Sequence, residues 1–221
     1  MAHIVKIKSI QHLTHDVLKI VLEKPDGISY HPGQACDFAI NKLGWQDKWR
    51  TFTFTSLPED NFIEFNIKTY PSHNGVTNEL IIAKPGDEIL IGDVYGDIAY
   101  KGEGIFIAGG AGITPFTAIL KHLQKHHQIG DSKLIFANKT KADIIMEDYF
   151  KSLLGNNFIN VLSDEKVDGY EHGFVTAEII KNQINNHQYF YLCAPPPMMN
   201  AVEKHLESLG INKEFIVKEG F

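Results

Sequence analysis

Apolar and polar positions change rhythm once along this chain. Up to about residue 100 they run in short stretches rich in β-branched and aromatic residues, at 4–10, 17–23, 34–40, 50–55, 62–68 and 88–94. Turn signals separate them: Lys24-Pro25-Asp26-Gly27, His31-Pro32-Gly33, Leu57-Pro58-Glu59-Asp60-Asn61 and Lys84-Pro85-Gly86-Asp87. About six strands at this spacing predict an antiparallel barrel, with one helical stretch near 76–83. From about residue 102 strand-like runs (105–108, 133–137, 158–162, 189–193, 214–217) alternate with helical ones (115–127, 143–154, 176–184, 198–209). That alternation predicts a parallel five-stranded sheet with helices on both faces. The expected division is 1–101 for the barrel and 102–221 for the α/β half.

The segment Ile105-Phe106-Ile107-Ala108-Gly109-Gly110-Ala111-Gly112-Ile113-Thr114-Pro115 carries the sharpest chemical signal. A buried strand runs into three glycines, then into an apolar-periodic helix expected to start at Pro115, a favoured first helical residue. Glycines let a backbone approach a ligand closely, and a helix start offers N–H groups to a phosphate. Strand, glycine turn and helix together form a pyrophosphate cradle. They also fit an ordinary strand-to-helix turn, and Pro115 stands where a G-x-G-x-x-G fingerprint has its third glycine.

The 221 residues are 43% hydrophobic and 22% charged, as in a water-soluble globular protein, and suffice for one large or two small cores. A net charge of −6 argues against nucleic acid as a partner. Two cysteines, Cys36 and Cys193, are too few for a disulfide framework or an all-cysteine metal site. The first residues lack a signal-peptide apolar core and no run approaches a membrane span, so a cytoplasmic protein with reduced thiols is expected. Of eleven histidines, His122, His126 and His127 share one helix. Without H-E-x-x-H they read as a solvated face, and no metal is expected.

A second constellation is Arg50-Thr51-Phe52-Thr53-Phe54-Thr55-Ser56. Strand alternation puts Arg50, Phe52 and Phe54 on one face and the threonines on the other. An arginine fork can clamp a diphosphate, an aromatic can pack on a flat ring, and a hydroxyl can donate to a ring nitrogen. An amphipathic strand with a snorkelling arginine accounts for the same pattern.

Three segments in order make the pattern specific. Arg50-Thr51-Phe52-Thr53 resembles the R-x-[YF]-[ST] flavin motif of the ferredoxin–NADP reductase family. Gly110-Ala111-Gly112-Ile113-Thr114-Pro115 resembles its nicotinamide motif. Tyr191-Leu192-Cys193-Ala194-Pro195 with Met198-Met199 resembles its third motif, C-G-P followed by Met, with Ala194 replacing the glycine. The resemblance covers essentially the whole chain and implies a flavin-binding barrel followed by a nicotinamide-nucleotide domain.

The resemblance implies a role for each matching position. Arg50 would hold the FAD pyrophosphate, Phe52 would lie against the isoalloxazine, and Thr53 would hydrogen-bond near N5. Asn74-Gly75-Val76-Thr77 is similar to a G-x-[VM]-[ST] helix start facing the same diphosphate, with Asn74 in the glycine position; Lys68 joins the cofactor-binding set. Gly110, Gly112, Thr114 and Pro115 would cradle the nicotinamide nucleotide. Cys193 would face the nicotinamide, although the residue alone reads rather as a buried core cysteine or a spectator thiol. Glu219 would approach N5 and Cys193, and the terminal Phe221 would cover the isoalloxazine as a gate, where a frayed terminus is the plain alternative. Ser163 and Asp164 would meet the adenosine ribose; an aspartate favours a 2′-hydroxyl over a 2′-phosphate, so NADH is expected ahead of NADPH. Asn138-Lys139-Thr140 resembles a segment flanking the adenosine.

The expected activity is FAD-dependent NAD(P)H oxidation with electrons passed to a separate acceptor such as flavodoxin or ferredoxin. Two alternatives stay open: a reductase serving an oxygenase, free flavin or a quinone, and a non-catalytic nucleotide-sensing or assembly subunit.

Overall fold

The computed structural model describes residues 2–185 and 189–219. The first half is built from β1 (His3–Thr14), β2 (Val17–Glu23), β3 (Ala35–Ile40), β4 (Arg50–Thr53), β5 (Phe62–Lys68), the short helix α1 (Val76–Glu79) and β6 (Glu88–Tyr95). Its sheet has the order β4-β3-β6-β1-β2-β5, with antiparallel neighbours throughout. The edges meet just past β4. Thr55 N–H donates to the Glu64 carbonyl of β5 at 2.8 Å, which closes the barrel, while Phe54 N–H extends the β3–β4 pairing to the Gln34 carbonyl at 3.1 Å. Alternation sends Phe38, Phe54 and Phe65 inward, where the Phe54 ring stacks on Tyr30 at 4.0 Å.

The second half runs β7 (Gly104–Gly109), α2 (Thr114–Lys125), β8 (Lys133–Asn138), α3 (Glu147–Leu154), β9 (Phe158–Leu162), β10 (Glu171–His172), α4 (Ala177–Lys181), β11 (Tyr189–Cys193), α5 (Pro196–Ser208) and β12 (Ile216–Lys218). All pairs are parallel, in the order β10-β9-β8-β7-β11-β12. Both faces are covered. Along β7, Phe106 and Ala108 enter one apolar layer with Phe116 and Leu120 of α2, while Ile105 and Ile107 enter the other with Val202 and Leu206 of α5. Strand order reverses between β8-β7 and β7-β11, so a crevice opens at the carboxyl ends of β7 and β11.

The sheet has six strands where five are expected. The extra one, β10, is two exposed polar residues, too short for any periodicity. The expected 214–217 strand begins later, at Ile216, after a 3-10 turn over Lys213–Phe215. Helix α2 starts at Thr114 rather than Pro115, behind a 3-10 turn over Gly110–Ile113 that gives the glycines their own local structure. Helix α3 is shorter than its periodicity, because Met146 takes a left-handed φ of 56° and interrupts it.

Among the contacts that join the halves, two centre on buried side chains. The Tyr191 hydroxyl accepts from the N–H groups of Lys101 (2.8 Å) and Gly102 (3.0 Å) and donates to the Gly102 carbonyl at 2.7 Å, which ties the connecting segment to β11. Glu64 of β5 is only 3% exposed. Lys19 reaches it from β2 and Lys121 from α2, both at 2.9 Å; Lys121 also donates to the Thr55 carbonyl at 2.8 Å. Burial pushes the Glu64 carboxyl up, but the two ammonium groups outweigh it and hold the carboxyl below the usual range.

Removing one partner from a buried ion cluster leaves charge uncompensated. Lys121→Met is expected to destabilise the protein by roughly 3 kcal/mol at neutral pH, measured by urea unfolding. Because the folded-state value of Glu64 is depressed, its contribution is fully present above the unfolded value of about 4.3 and fades as pH falls through the folded value. The gap between wild type and variant should therefore narrow in acid.

Candidate active site

A cavity of about 790 Å³ opens where the barrel meets the carboxyl ends of the parallel strands. The barrel contributes Thr51, Phe52, Thr53, Asn66 and Lys68, with Thr77 of α1; the second half contributes the Gly109–Gly112 turn, Thr114, Ser163, Cys193 and Ala194. Nine expected site residues thus border one space: Phe52, Thr53, Lys68, Thr77, Gly110, Gly112, Thr114, Ser163 and Cys193; Glu219 is outside the lining but acts on Cys193 through its charge. Arg50, Asn74, Gly75, Val76, Pro115 and Asp164 lie outside the lining. Phe221 lies outside the described residues.

The glycine turn is built around close approach. A Cβ on Gly112 would sit 2.1 Å from the Cys193 carbonyl oxygen, so only glycine lets this turn rest on the end of β11. Gly109 makes room in the same way for the Ala194 methyl, 2.9 Å from where its own Cβ would fall. The methyl that replaces the motif glycine at 194 is thereby accommodated. Gly110 takes φ +52° with open space above its α-carbon, facing the cavity. Pro195 caps α5 and Pro196 opens it, so β11 turns stiffly into the helix.

On the barrel side, Phe52 meets the Phe38 ring edge-on at 5.1 Å while bordering the cavity. The Tyr95 hydroxyl donates to Asp37 at 2.7 Å and so accepts from the Thr51 hydroxyl. Arg50 is exposed, its guanidinium donating to the Trp49 carbonyl at 2.7 Å, on the rim rather than in the lining. Before α1, Gly75 has φ −113° and ψ −178°, ordinary extended backbone. Among the described non-glycine residues only His127 and Met146 have positive φ, so Asn74 meets no backbone demand for a glycine. Lys68 pairs with Asp16 at 2.5 Å.

Cys193 is a neutral thiol at pH 7. Burial pushes it up to about 12, and the Glu219 carboxylate adds to the shift. It is therefore no thiolate nucleophile. Glu219 reaches back to the barrel and accepts from Asp97 N–H at 3.2 Å. At the other end, Ser163 N–H donates to the Asn138 carbonyl (3.0 Å) and Asp164 N–H to the Lys139 carbonyl (2.9 Å), which joins the loops after β8 and β9. Asp164 is exposed behind Ser163, whose hydroxyl donates to its carboxylate at 2.6 Å.

Two cavity residues, Asn66 and Phe174, had no sequence signal as site residues, and Asn138 had only the resemblance of residues 138–140 to an adenosine-flanking segment. Asn66 Oδ1 and Asn138 Nδ2 are buried without a hydrogen-bond partner, one an acceptor on the barrel side and the other a donor at the end of β8. Phe174 borders the cavity yet is 80% exposed. Orphaned buried polar atoms are costly, and a polar ligand in this cavity would relieve them.

An FAD-binding domain model matches residues 2–85 and an oxidoreductase NAD-binding domain model matches residues 106–204. NADH-cytochrome b5 reductase 1 of Aspergillus terreus is 30% identical over 94% of this chain and 77% of its own length. The chain belongs to the ferredoxin–NADP reductase family. The reductase component of propane 2-monooxygenase from Mycolicibacterium smegmatis is 27% identical over 98% of this chain. The chain spans just under two thirds of that relative, 66% of its length. In fold, the flavohaem-like FAD/NAD-binding domain of nitric oxide dioxygenase from Vibrio cholerae superposes with a TM-score of 0.87 at 22% identity, covering 99% of this chain and 98% of that one.

The cofactors of the two matched domains are FAD and a nicotinamide nucleotide, and the cavity residues fit them. An aromatic and two hydroxyls stand on one wall, a glycine turn at a helix start on the other, and unpaired amide groups lie between. No helix among the described residues is long and apolar enough to cross a membrane.

The two cradle glycines should respond differently to alanine. Gly112→Ala forces the turn away from β11 and is expected to abolish tight nicotinamide-nucleotide binding, measured by titration calorimetry. Gly110→Ala meets no atom and costs only the positive φ, roughly 1 kcal/mol of stability.

Proposed function

We propose that this reductase takes electrons from NADH, holds them on FAD and passes them to a separate redox acceptor protein. The observation that supports it is the single cavity in which Phe52 and Thr53 of the barrel face the Gly110–Gly112 turn and Cys193 of the nucleotide half. We assign 1–101 to the flavin and 102–221 to the nicotinamide nucleotide. Bound FAD supplies the conversion of a two-electron hydride donor into electrons that can leave singly.

The residues orient and shield. Arg50 and Lys68, with the Asn74–Thr77 segment, supply positive charge and N–H groups for the flavin diphosphate. Phe52 buttresses the flavin ring and the Thr53 hydroxyl donates at its edge. Gly110, Gly112, Thr114 and Pro115 shape the turn that receives the nicotinamide nucleotide. Cys193, kept neutral, packs beside the reacting carbon without competing as a nucleophile, and Glu219 supplies the nearby carboxylate. Ser163 and Asp164 form the ribose end. Asp164 held behind the Ser163 hydroxyl accepts from a 2′-hydroxyl arrangement and repels a 2′-phosphate, which favours NADH.

The acceptor class follows the relatives' names: an oxygenase component or a small haem protein is a better match than flavodoxin, and ferredoxin remains an acceptor of suitable chemistry. A non-catalytic role has less support, because the chain carries Thr53, Cys193 and Glu219 at the positions the motifs assign.

Purified protein should be yellow and should bleach on anaerobic addition of NADH. Stopped-flow flavin reduction should be faster with NADH than with NADPH, and Asp164→Arg should narrow or reverse the preference. A ten-fold preference of wild type for NADPH, about 1.4 kcal/mol, contradicts the ribose assignment. Arg50→Ala should lower flavin retention on dialysis, by about 1.5–3 kcal/mol of binding; full retention contradicts its diphosphate role.

A further inference from the structure

The carboxyl end of α2 carries a cluster that the reductase site does not use. His122 and His126 stand one helical turn apart, and the turn between β4 and β5 brings Glu59 against them. One ligand-capable atom from each of the three lies within 4.8 Å of the others. We propose that Glu59, His122 and His126 form a zinc-class divalent cation site that staples the barrel to the nucleotide-binding half.

The donor set suits that class. Two imidazoles and a carboxylate match zinc and its borderline neighbours, and residues four apart on a helix present their side chains on one face. His126 Nδ1 lies 2.8 Å from the His122 carbonyl oxygen, so that nitrogen is the N–H donor and the lone pair is on Nε2. A backbone carbonyl fixing the tautomer in this way is how ligand imidazoles are held. His122 has its Nδ1 buried without a partner, and its ring lies 4.1 Å from that of His126.

The helix end favours a cation and a neighbouring lysine opposes it. The cluster sits at the negative end of the α2 dipole. Lys125, from the same helix end, already pairs with Glu59 Oε1 at 2.9 Å, and this contact leads the effects that keep the carboxyl below its usual range. A metal at the site therefore competes with the Lys125 ammonium for Glu59. The cluster lies roughly three helical turns from the glycine turn, so an occupied site leaves the cofactor cavity open.

Zinc chloride titrated into the FAD-loaded full chain, in a non-chelating buffer, tests this by calorimetry and thermal melting. Wild type should bind one equivalent more than the His122→Ala/His126→Ala double variant, and zinc should raise its melting temperature by about 3 °C or more, an increment the double variant loses. Glu59→Gln should weaken binding at least ten-fold, and Lys125→Gln should tighten it by removing the competing cation. His15→Ala, at the separate His15, Asp16 and Asp143 cluster beside the cofactor cavity, should leave the difference between wild type and the double variant unchanged. Equal zinc stoichiometry and affinity in wild type and the double variant would overturn the site. So would Glu59→Gln and Lys125→Gln titrations indistinguishable from wild type, which would reduce it to adventitious histidine binding.

Discussion

The contact between the glycine turn and the end of β11 is the constraint on which the site depends. Gly112 rests against the Cys193 carbonyl so closely that one added carbon would overlap it. This contact aligns the start of α2 with the carboxyl end of β11, the place where the strand order reverses. A turn offering N–H groups and a neutral thiol therefore share one wall. Elsewhere the parallel sheet needs only apolar residues of suitable size on both faces; here it needs an absent side chain.

A wall is useful only if the opposite wall stays in register. The barrel supplies that wall from β4 and β5, and the Glu64 cluster ties it to α2. The cluster sits on the helix that begins at the glycine turn, so the element that shapes the cradle also carries the ion pair to the barrel. Tyr191 adds a second tie, from β11 itself to the connecting segment. One end of the cradle is thus tied to the barrel and the other to the segment that leaves it, by directional contacts rather than by apolar packing alone. That rigidity suits a reaction in which two flat rings must meet face to face.

Much of this was legible in the residues. The change from short alternating runs to strand-and-helix alternation marked both halves, and β2, β5, β9 and β11 have the expected bounds. The glycine turn was legible because glycine states a backbone requirement directly. Tertiary partners were not. Lys121 reads as one of several lysines on a helix, and only folding brings it to a glutamate 57 positions away. Asn66 carries no local pattern and Asn138 only the adenosine-flank resemblance, since an orphaned amide becomes visible only once its surroundings are built. Asp164 was expected to face the ribose directly, whereas Ser163 is in the lining and Asp164 stands behind it; a loop's local turn decides which of two neighbours faces inward. The two-residue β10 and the late start of β12 escaped because strands that short have no period to detect.

The central claim is that one cavity holds both nucleotides with their reacting rings in contact. The most direct measurement is a titration of the chemically reduced, FAD-loaded protein with NAD⁺ under anaerobic conditions, following long-wavelength absorbance. A charge-transfer band that saturates at one equivalent of nucleotide is the predicted result. Nucleotide binding at that stoichiometry with no such band would place the two rings apart and contradict the account.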